Sequence, residues 1–508
     1  MNQLPLWDDA PASERASIPS LSKSKVLAGL QCPKRLYLEC YAPDTRDPID
    51  ASRQALFDAG REVGRVARGR FPGGVTMEED PRLHDDAARA TRATLADPRV
   101  PSIYEAAFTH DRIRVRVDVL ARAGNGAWDV VEVKSATSVK EEYLPDLAVQ
   151  LLVVEGSGLS VRRAAILHVN NQYVWEGGPY DLRALFTIQD LTEVARDRRR
   201  DLLGSIAAMR EPLRALAAPD VPIGAQCSRP YVCPFWDTCH GNGPEHPIGN
   251  LPRLTPKLRR AFEDLGIDDI RDIPEDFHDL SELQRRVWDC TRRGVAYVGP
   301  ELTAALRAIP HPVHFLDFET CNPALPFIPG TRPFQQTPFQ WSDHVLERDG
   351  TVRHLEYLHE DRTDPRRPLA RALIRALEGA EAIVVYSGFE ARMIRAMAEA
   401  LPDLSGPLLE HVERRIVDLH QLIHEHYYHP EFRGSFSIKD VLPVVVAGMG
   451  YGHLAIKDGS QAALAYVSMT DPSRPEEERR ETREGLRAYC ARDTEAMMRL
   501  FQTLKEVS

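Results

Sequence analysis

The chain has no stretch approaching ~18 consecutive apolar residues, so no membrane-spanning helix is expected. It is poor in cysteine, with eight in 508 residues, which excludes a disulfide-built scaffold and turns attention to where the cysteines cluster. It has no excess of basic residues: 64 Lys and Arg against 75 Asp and Glu give a net charge of -11. That excludes a surface coated with non-specific nucleic-acid affinity, but leaves room for a local basic groove or for carboxylate clusters that bind metals. The opening segment, "MNQLPLWDDAPASERASIPS", lacks the basic start, apolar centre and cleavage site of a secretory signal, so a cytoplasmic protein is expected. Internal repeats and low-complexity tracts are also lacking. What remains is globular in composition, 43% hydrophobic and 27% charged, and long enough for two or three domains.

Residues 1–21 read as a disordered terminus. An amphipathic helical start follows in "LSKSKVLAGLQCPKRLYLECY". From Tyr104 to Ala136 the periodicity changes to two. "RIRVRVDVL" alternates polar and apolar residues, "GNG" is a hairpin turn and "WDVVEV" is the returning strand. "EYLPDLAVQLLVVEG" suits a helix packed on that sheet, and "AAILHVN" another strand. Short helical segments fill 246–305, and a second α/β pattern begins near Pro310 with the buried strand "HPVHFLDFET".

"CSRPYVCPFWDTC" holds Cys227, Cys233 and Cys239 with five residues between neighbours. Three thiolates need a fourth, and Cys32 in "QCPKRLYLE" is the candidate, joining the two ends of one domain. Structural zinc sites usually use tighter cysteine pairs, whereas the wide gaps suit a 4Fe–4S cluster. Zinc and plain buried cysteines are the alternatives. Cys40, Cys290, Cys321 and Cys490 read as small core residues. Between these cysteines lie Asp118 and the triplet Glu132-Val133-Lys134, whose alternation puts Glu132 and Lys134 on one face. Two carboxylates and a lysine can serve phosphodiester hydrolysis: the carboxylates hold Mg2+, and the lysine stabilises developing charge. Gln150 follows on the next helix.

One cysteine upstream, D…E-x-K on a hairpin, a glutamine on the next helix and three cysteines downstream resemble the iron–sulfur RecB-like nucleases of the PD-(D/E)XK superfamily. The resemblance covers residues ~22–245. It implies a 4Fe–4S cluster on Cys32, Cys227, Cys233 and Cys239. It also implies Asp118 and Glu132 as ligands of Mg2+ or Mn2+, Lys134 as the catalytic lysine and Gln150 as the motif glutamine. The chain departs from the pattern in two places. Gly64 stands in "GREVGRVA" where many relatives carry a metal-binding histidine, with Glu62 or Glu105 as substitutes, and Val154 replaces a tyrosine.

In "FLDFET", Asp317 and Glu319 are two apart on one strand and share a face. Buried like charges repel, and divalent cations remove the conflict. Tyr489 and Asp493 are four apart in "YCARDTEAM", on one helix face, and Glu390 follows the strand ending in "YSGF". Together and in this order they resemble the DEDD exonucleases of the RNase H-like fold, the DnaQ-like group, over ~310–508. The resemblance implies Asp317, Glu319, Glu390 and Asp493 as metal ligands and Tyr489 as a catalytic partner. Glu390 replaces the usual aspartate of the middle motif, with Asp418 as the other choice. Lys439, in "FSIKDVLP", lies in a segment resembling one found before the last helix of these enzymes. The order of the two halves also resembles a bacterial family catalogued only as a domain of unknown function.

In the middle segment, "LGIDDIRDIP" is similar to a helix–hairpin–helix turn, whose amides meet phosphates. The expectation is thus an α/β protein. It has a PD-(D/E)XK nuclease domain with an iron–sulfur clamp at 22–245, a helix–hairpin–helix-like helical linker at 246–305 and an RNase H-like DEDD domain at 306–508. It acts as a metal-dependent nuclease on DNA, single-stranded ends included. An RNA-processing exonuclease, and a nucleic-acid-binding scaffold with one or both sites decayed, are the alternatives.

Overall fold

The computed structural model describes residues 18–241 and 243–507; most of the 1–21 terminus lies outside them. The protein is mixed α/β and divides into two compact units. The first is the chain up to Asn242 with Pro323–Pro326 and Thr331–Phe334; the second is Gly243–Asn322, Phe327–Gly330 and Gln335–Ser508. No helix among the described residues is long and apolar enough to cross a membrane.

The first unit is built on a seven-stranded sheet of β1 (Leu21–Ser22), β2 (Val75–Thr76), β3 (Ser102–His110), β4 (Ile113–Arg122), β5 (Trp128–Lys134), β6 (Val161–Val169) and β7 (Phe186–Asp190). The order is β2-β3-β4-β5-β6-β7, with β1 on β4. β4 and β5 form the hairpin read from the alternation, turning at Asn125 and Gly126, both at positive φ. β5 and β6 are parallel, a pairing that needs a crossover, and the helix Leu144–Gly156 supplies it. That helix is apolar on nearly every side. Leu147, Val149, Leu151, Val153 and Val154 are all fully buried, so it forms the unit's central core element. The β4–β5 ladder ends at Val119↔Val131. Just beyond, the backbone N–H of Val133 donates to Asp118 Oδ2 at 2.7 Å. The departure of β5 from β4 therefore opens the place where the charged residues gather.

The second unit has a five-stranded sheet of β9 (Val313–Cys321), β10 (Thr337–Leu346), β11 (Val352–Leu358), β12 (Ala382–Val385) and β13 (Ile416–Asp418), ordered β11-β10-β9-β12-β13. β9, β10 and β11 are antiparallel neighbours, while β12 runs parallel to β9 and β13 parallel to β12. Alternation along β9 divides two cores. Val313 and Phe315 belong to the cluster containing the helix Glu476–Leu504, and Leu316 and Phe318 to the one containing Phe389–Ala400. Phe315 meets Phe501 edge-on at 5.4 Å.

Residues 246–305 are packed into this unit rather than standing apart as a linker. Leu258, Phe262, Val287, Leu302 and Leu306 share the core of Phe315, and β8 (Tyr297–Val298) pairs with β14 (Tyr427–Tyr428). In the turn resembling helix–hairpin–helix, Asp269 already accepts from the amides of Arg271 and His246 and pairs with the Arg271 guanidinium.

Candidate functional site

Four cysteines line one small cavity. Cys32 caps the helix Pro33–Tyr41, Cys227 ends a short turn, Cys233 is buried and Cys239 lies in the helix Trp236–His240. None of the four is in a disulfide. The loop is stitched to the early helices: the Gln31 side-chain amide donates to the carbonyls of Gln226 and Tyr231 at 2.6 and 2.8 Å, and Asp47 accepts from the Trp236 amide at 2.8 Å. Burial, with the neighbouring thiols adding to it, pushes Cys233 and Cys239 up. Cys40 does not line the cavity and meets Lys25 instead. Among the described residues no three of these sulfurs lie within 4.8 Å of one another. Tetrahedral zinc would hold its sulfurs ~3.8 Å apart. A four-iron cube, with one thiolate on each corner iron, holds them wider.

In the same unit, Glu132 and Lys134 on β5 meet Gln150 of the crossover helix. Lys134 Nζ is 2.7 Å from Glu132 Oε1, and the Gln150 amide donates to Glu132 Oε2 at 2.6 Å. Two residues not singled out in the sequence complete the group. Asp146, one turn before Gln150, accepts from Lys134 at 2.6 Å. Lys23 reaches Glu132 at 3.1 Å and Asp146 at 2.9 Å. Burial opposes the charges of Lys134 and Asp146, but ion pairing outweighs it: Glu132 and then Asp146 act on Lys134, and Lys23 and then Lys134 on Asp146. The ammonium is held above its usual range and the carboxyl below its own. Burial, with Glu132 alongside, pushes Asp118 well up. Glu105 is raised by burial and pairs with Arg68, whereas Glu62 lies exposed against Arg65. Gly64 leaves open space, and Val154 is buried in the core.

The second unit gathers a different set. Asp317 and Glu319 extend past the end of the β12–β9 ladder, at Val384↔Phe315, to the carboxyl edge of the parallel strands, where open α/β sheets collect ligands. Glu390 enters the same cavity from the first turn of Phe389–Ala400, and Tyr489 and Asp493 from the last helix. The cavity measures about 400 Å³. Asp418 does not line it: its carboxylate caps the helix Leu419–His426 by accepting from the Gln421 amide at 3.1 Å. Asp317, Glu319 and Cys490 bring one ligand atom each within 4.8 Å of one another. Cys490, read from sequence as a core residue, is fully buried beside Asp317. Tyr451, which the sequence gave no reason to single out, donates to Asp493 Oδ1 at 2.5 Å. Lys439 also lines the cavity, its ammonium bonded to the Lys457 carbonyl and lying over the rings of Tyr451 and Tyr489.

Crowded carboxylates set the electrostatics. Burial, then the nearby Asp493, pushes both Asp317 and Glu319 well above the usual range. Burial lifts Glu390 to about 7 and Asp493 to about 6, the latter against hydrogen bonds from Tyr451 and Tyr489. Glu390 Oε2 is buried without a partner. An unpartnered carboxylate oxygen beside three more carboxylates suits Mg2+ or Mn2+.

Comparison with known proteins gives little beyond this. The family model described as "Domain of unknown function (DUF2779)" matches residues 314–437, a span that holds Asp317, Glu319 and Glu390 but not Tyr489 or Asp493. No curated protein matches the chain. Among solved structures, a family B DNA polymerase from the hyperthermophilic archaeon Pyrobaculum calidifontis is similar at 14% identity and a TM-score of 0.24, over 39% of this chain and 27% of the polymerase chain.

Two outcomes are expected. Anaerobically purified protein should carry about four irons per chain and little zinc, with Cys32→Ala losing iron as readily as Cys233→Ala. Iron analysis checks this, and stoichiometric zinc without iron would contradict it. The second concerns pH. With Glu390 near 7 and Asp493 near 6 in the metal-free fold, both above ordinary carboxylates, folding takes up protons. Stability from these groups is full below about pH 4 and is lost as pH rises through their folded values. Glu390→Gln should therefore raise the Tm of EDTA-treated protein at pH 8 by roughly 2–5 °C and leave it unchanged at pH 4. Equal Tm values at pH 8 would contradict this reading.

Proposed function

We propose that the protein is a metal-dependent nuclease that hydrolyses phosphodiester bonds of DNA, exonucleolytically, at the carboxylate cavity of its second unit. The observation that carries this is the convergence of Asp317, Glu319, Glu390 and Asp493 in one cavity with a buried, unpartnered Glu390 oxygen. An RNase H-like reading of this unit is supported by the β11-β10-β9-β12-β13 order, with carboxylates on the central strand and the last helix. A PD-(D/E)XK-like reading of the first unit is supported by the Asp118/Glu132/Lys134 hairpin and its crossover helix with Gln150. The cysteine cavity supports an iron–sulfur clamp that ties residue 32 to residues 227–239.

Asp317, Glu319, Glu390 and Asp493 would hold Mg2+ or Mn2+, which when bound supplies charge neutralisation and an activated water. The residues themselves divide the remaining work. Tyr451 and Tyr489 fix the Asp493 carboxylate by donating to it. Lys439 places an ammonium at the cavity wall, where a substrate phosphate would be met. Glu390 lies in the first turn of its helix, where the helix dipole favours a negative charge against the burial that lifts its pKa.

Labelled single-stranded DNA, duplex DNA and RNA, incubated with Mn2+, Mg2+ or EDTA, test the proposal. Cation-dependent degradation of DNA is expected, falling at least ~100-fold in Asp317→Asn, Asp493→Asn and Glu390→Gln. Asp418→Asn should stay near wild type, since a helix cap contributes only ~1 kcal/mol of stability. An active Glu390→Gln beside a dead Asp418→Asn would move the middle ligand to Asp418. Degradation of RNA alone would change the substrate, and no degradation with any cation would favour a binding or scaffold protein.

A further inference from the structure

The resemblance of the first unit to metal-dependent nucleases implies a divalent cation on Asp118 and Glu132. The residues present do not fit one. All four oxygens of Glu132 and Asp146 are already engaged by protein donors. Lys23 Nζ lies 3.1 and 3.2 Å from the two Glu132 oxygens and 2.9 Å from Asp146 Oδ1. Lys134 Nζ takes Glu132 Oε1 at 2.7 Å and Asp146 Oδ2 at 2.6 Å. The Gln150 amide takes Glu132 Oε2 at 2.6 Å and Asp146 Oδ1 at 3.0 Å. Asp118 Oδ2 accepts the Val133 amide at 2.7 Å, and its carboxyl lies near enough to Glu132 and Lys23 to feel both charges. Gln150 Oε1 is buried without a partner, and it is a neutral amide oxygen that suits a water rather than anchoring a dication.

Charge points the same way. Two ammonium groups bridge two carboxylates, Glu132 and Asp146, and the charge of Lys23 also acts on Asp118. A dication on Glu132 would have to displace an ammonium already paired with that carboxylate. Lys23 is also not a loose surface side chain. It is the first residue of the helix Lys23–Gln31, whose cap Ser22 belongs to β1, and β1 is paired with β4 at Leu21↔Ile113 and Ser22↔Arg114. The backbone that carries Lys23 is therefore fixed to the strand that carries Asp118. The second unit differs: Lys439, the lysine lining its cavity among the described residues, bonds the Lys457 carbonyl and forms no ion pair with the four carboxylates, although its charge favours the ionised forms of Glu319 and Asp493.

We infer that Lys23 is the resident cation of the first unit's site, and that this site binds no divalent metal while Lys23 is in place. The inference is independent of whether the second unit cuts.

The test is Mn2+ binding to the full-length protein with its native metal content, followed by the paramagnetic resonance signal of free Mn2+. Glu132→Gln should bind as much Mn2+ as wild type, and Asp317→Asn/Asp493→Asn should bind none tightly. Adding Lys23→Met to that double variant should create one new Mn2+ site, and adding Glu132→Gln should remove it again. Tight binding that persists in Asp317→Asn/Asp493→Asn with Lys23 intact would overturn the inference. So would a folded Lys23→Met protein, in that background, that gains no site. If Lys23→Met fails to fold, the comparison of wild type, Glu132→Gln and Asp317→Asn/Asp493→Asn decides alone. If wild type binds no Mn2+ at all, the function proposed for the second unit fails while this inference stands.

Discussion

Carboxylates of like charge are expensive to bury together, and the arrangement of both units follows from how each one answers that constraint. In the first unit, Glu132 and Asp146 are answered by ammonium groups from the chain itself, Lys23 and Lys134, at 2.6–3.2 Å. In the second, Asp317, Glu319, Glu390 and Asp493 share a cavity, and the hydroxyls of Tyr451 and Tyr489 are the donors that reach Asp493. Hydroxyls orient a carboxylate but do not neutralise it, so the second set is left with charge that an external cation can meet. One chain thus holds one acidic site whose Glu132 and Asp146 are ion-paired with its own lysines, and one whose carboxylates have no such pair among the described residues.

The fold makes both arrangements by the same means. A strand delivers carboxylates at the point where its neighbour leaves it, and a helix returning across the sheet brings the partners. β5 leaves β4 after Val131, and the crossover helix brings Asp146 and Gln150. β9 outruns β12 after Phe315, and the helices starting at Phe389 and Glu476 bring Glu390 and Asp493. In each unit the apolar alternation that fills the core also fixes which side the carboxylates face.

Much of this was legible in short stretches. The period-two run and the GNG turn give the β4–β5 hairpin, and the D-x-E spacing puts Asp317 and Glu319 on one face of β9. A residue opening a helix after a strand gives Glu390 its place at the sheet edge, and the i,i+4 spacing pairs Tyr489 with Asp493. Contacts over long sequence separation were not legible. Lys23 meets Glu132 across 109 residues, and Tyr451 meets Asp493 across 42, from a glycine-rich loop with no periodic signal. Asp146 carried a local signal, four residues before Gln150 on one helix face, but an acidic residue in a first turn is ordinary enough to pass as a helix-dipole partner. The helical segment 246–305 gave no hint that Phe262 and Val287 would join the core around Phe315. Nor does sequence tell that Asp269 accepts from the amides of both Arg271 and His246.

The most direct test of the account is anomalous diffraction from Mn2+-soaked crystals of the wild-type protein. The account expects a manganese peak among Asp317, Glu319, Glu390 and Asp493, with none between Asp118 and Glu132 and the Lys23 ammonium still on Glu132. A peak at Asp118 and Glu132 with Lys23 displaced, or no peak in the second unit's cavity, would contradict it.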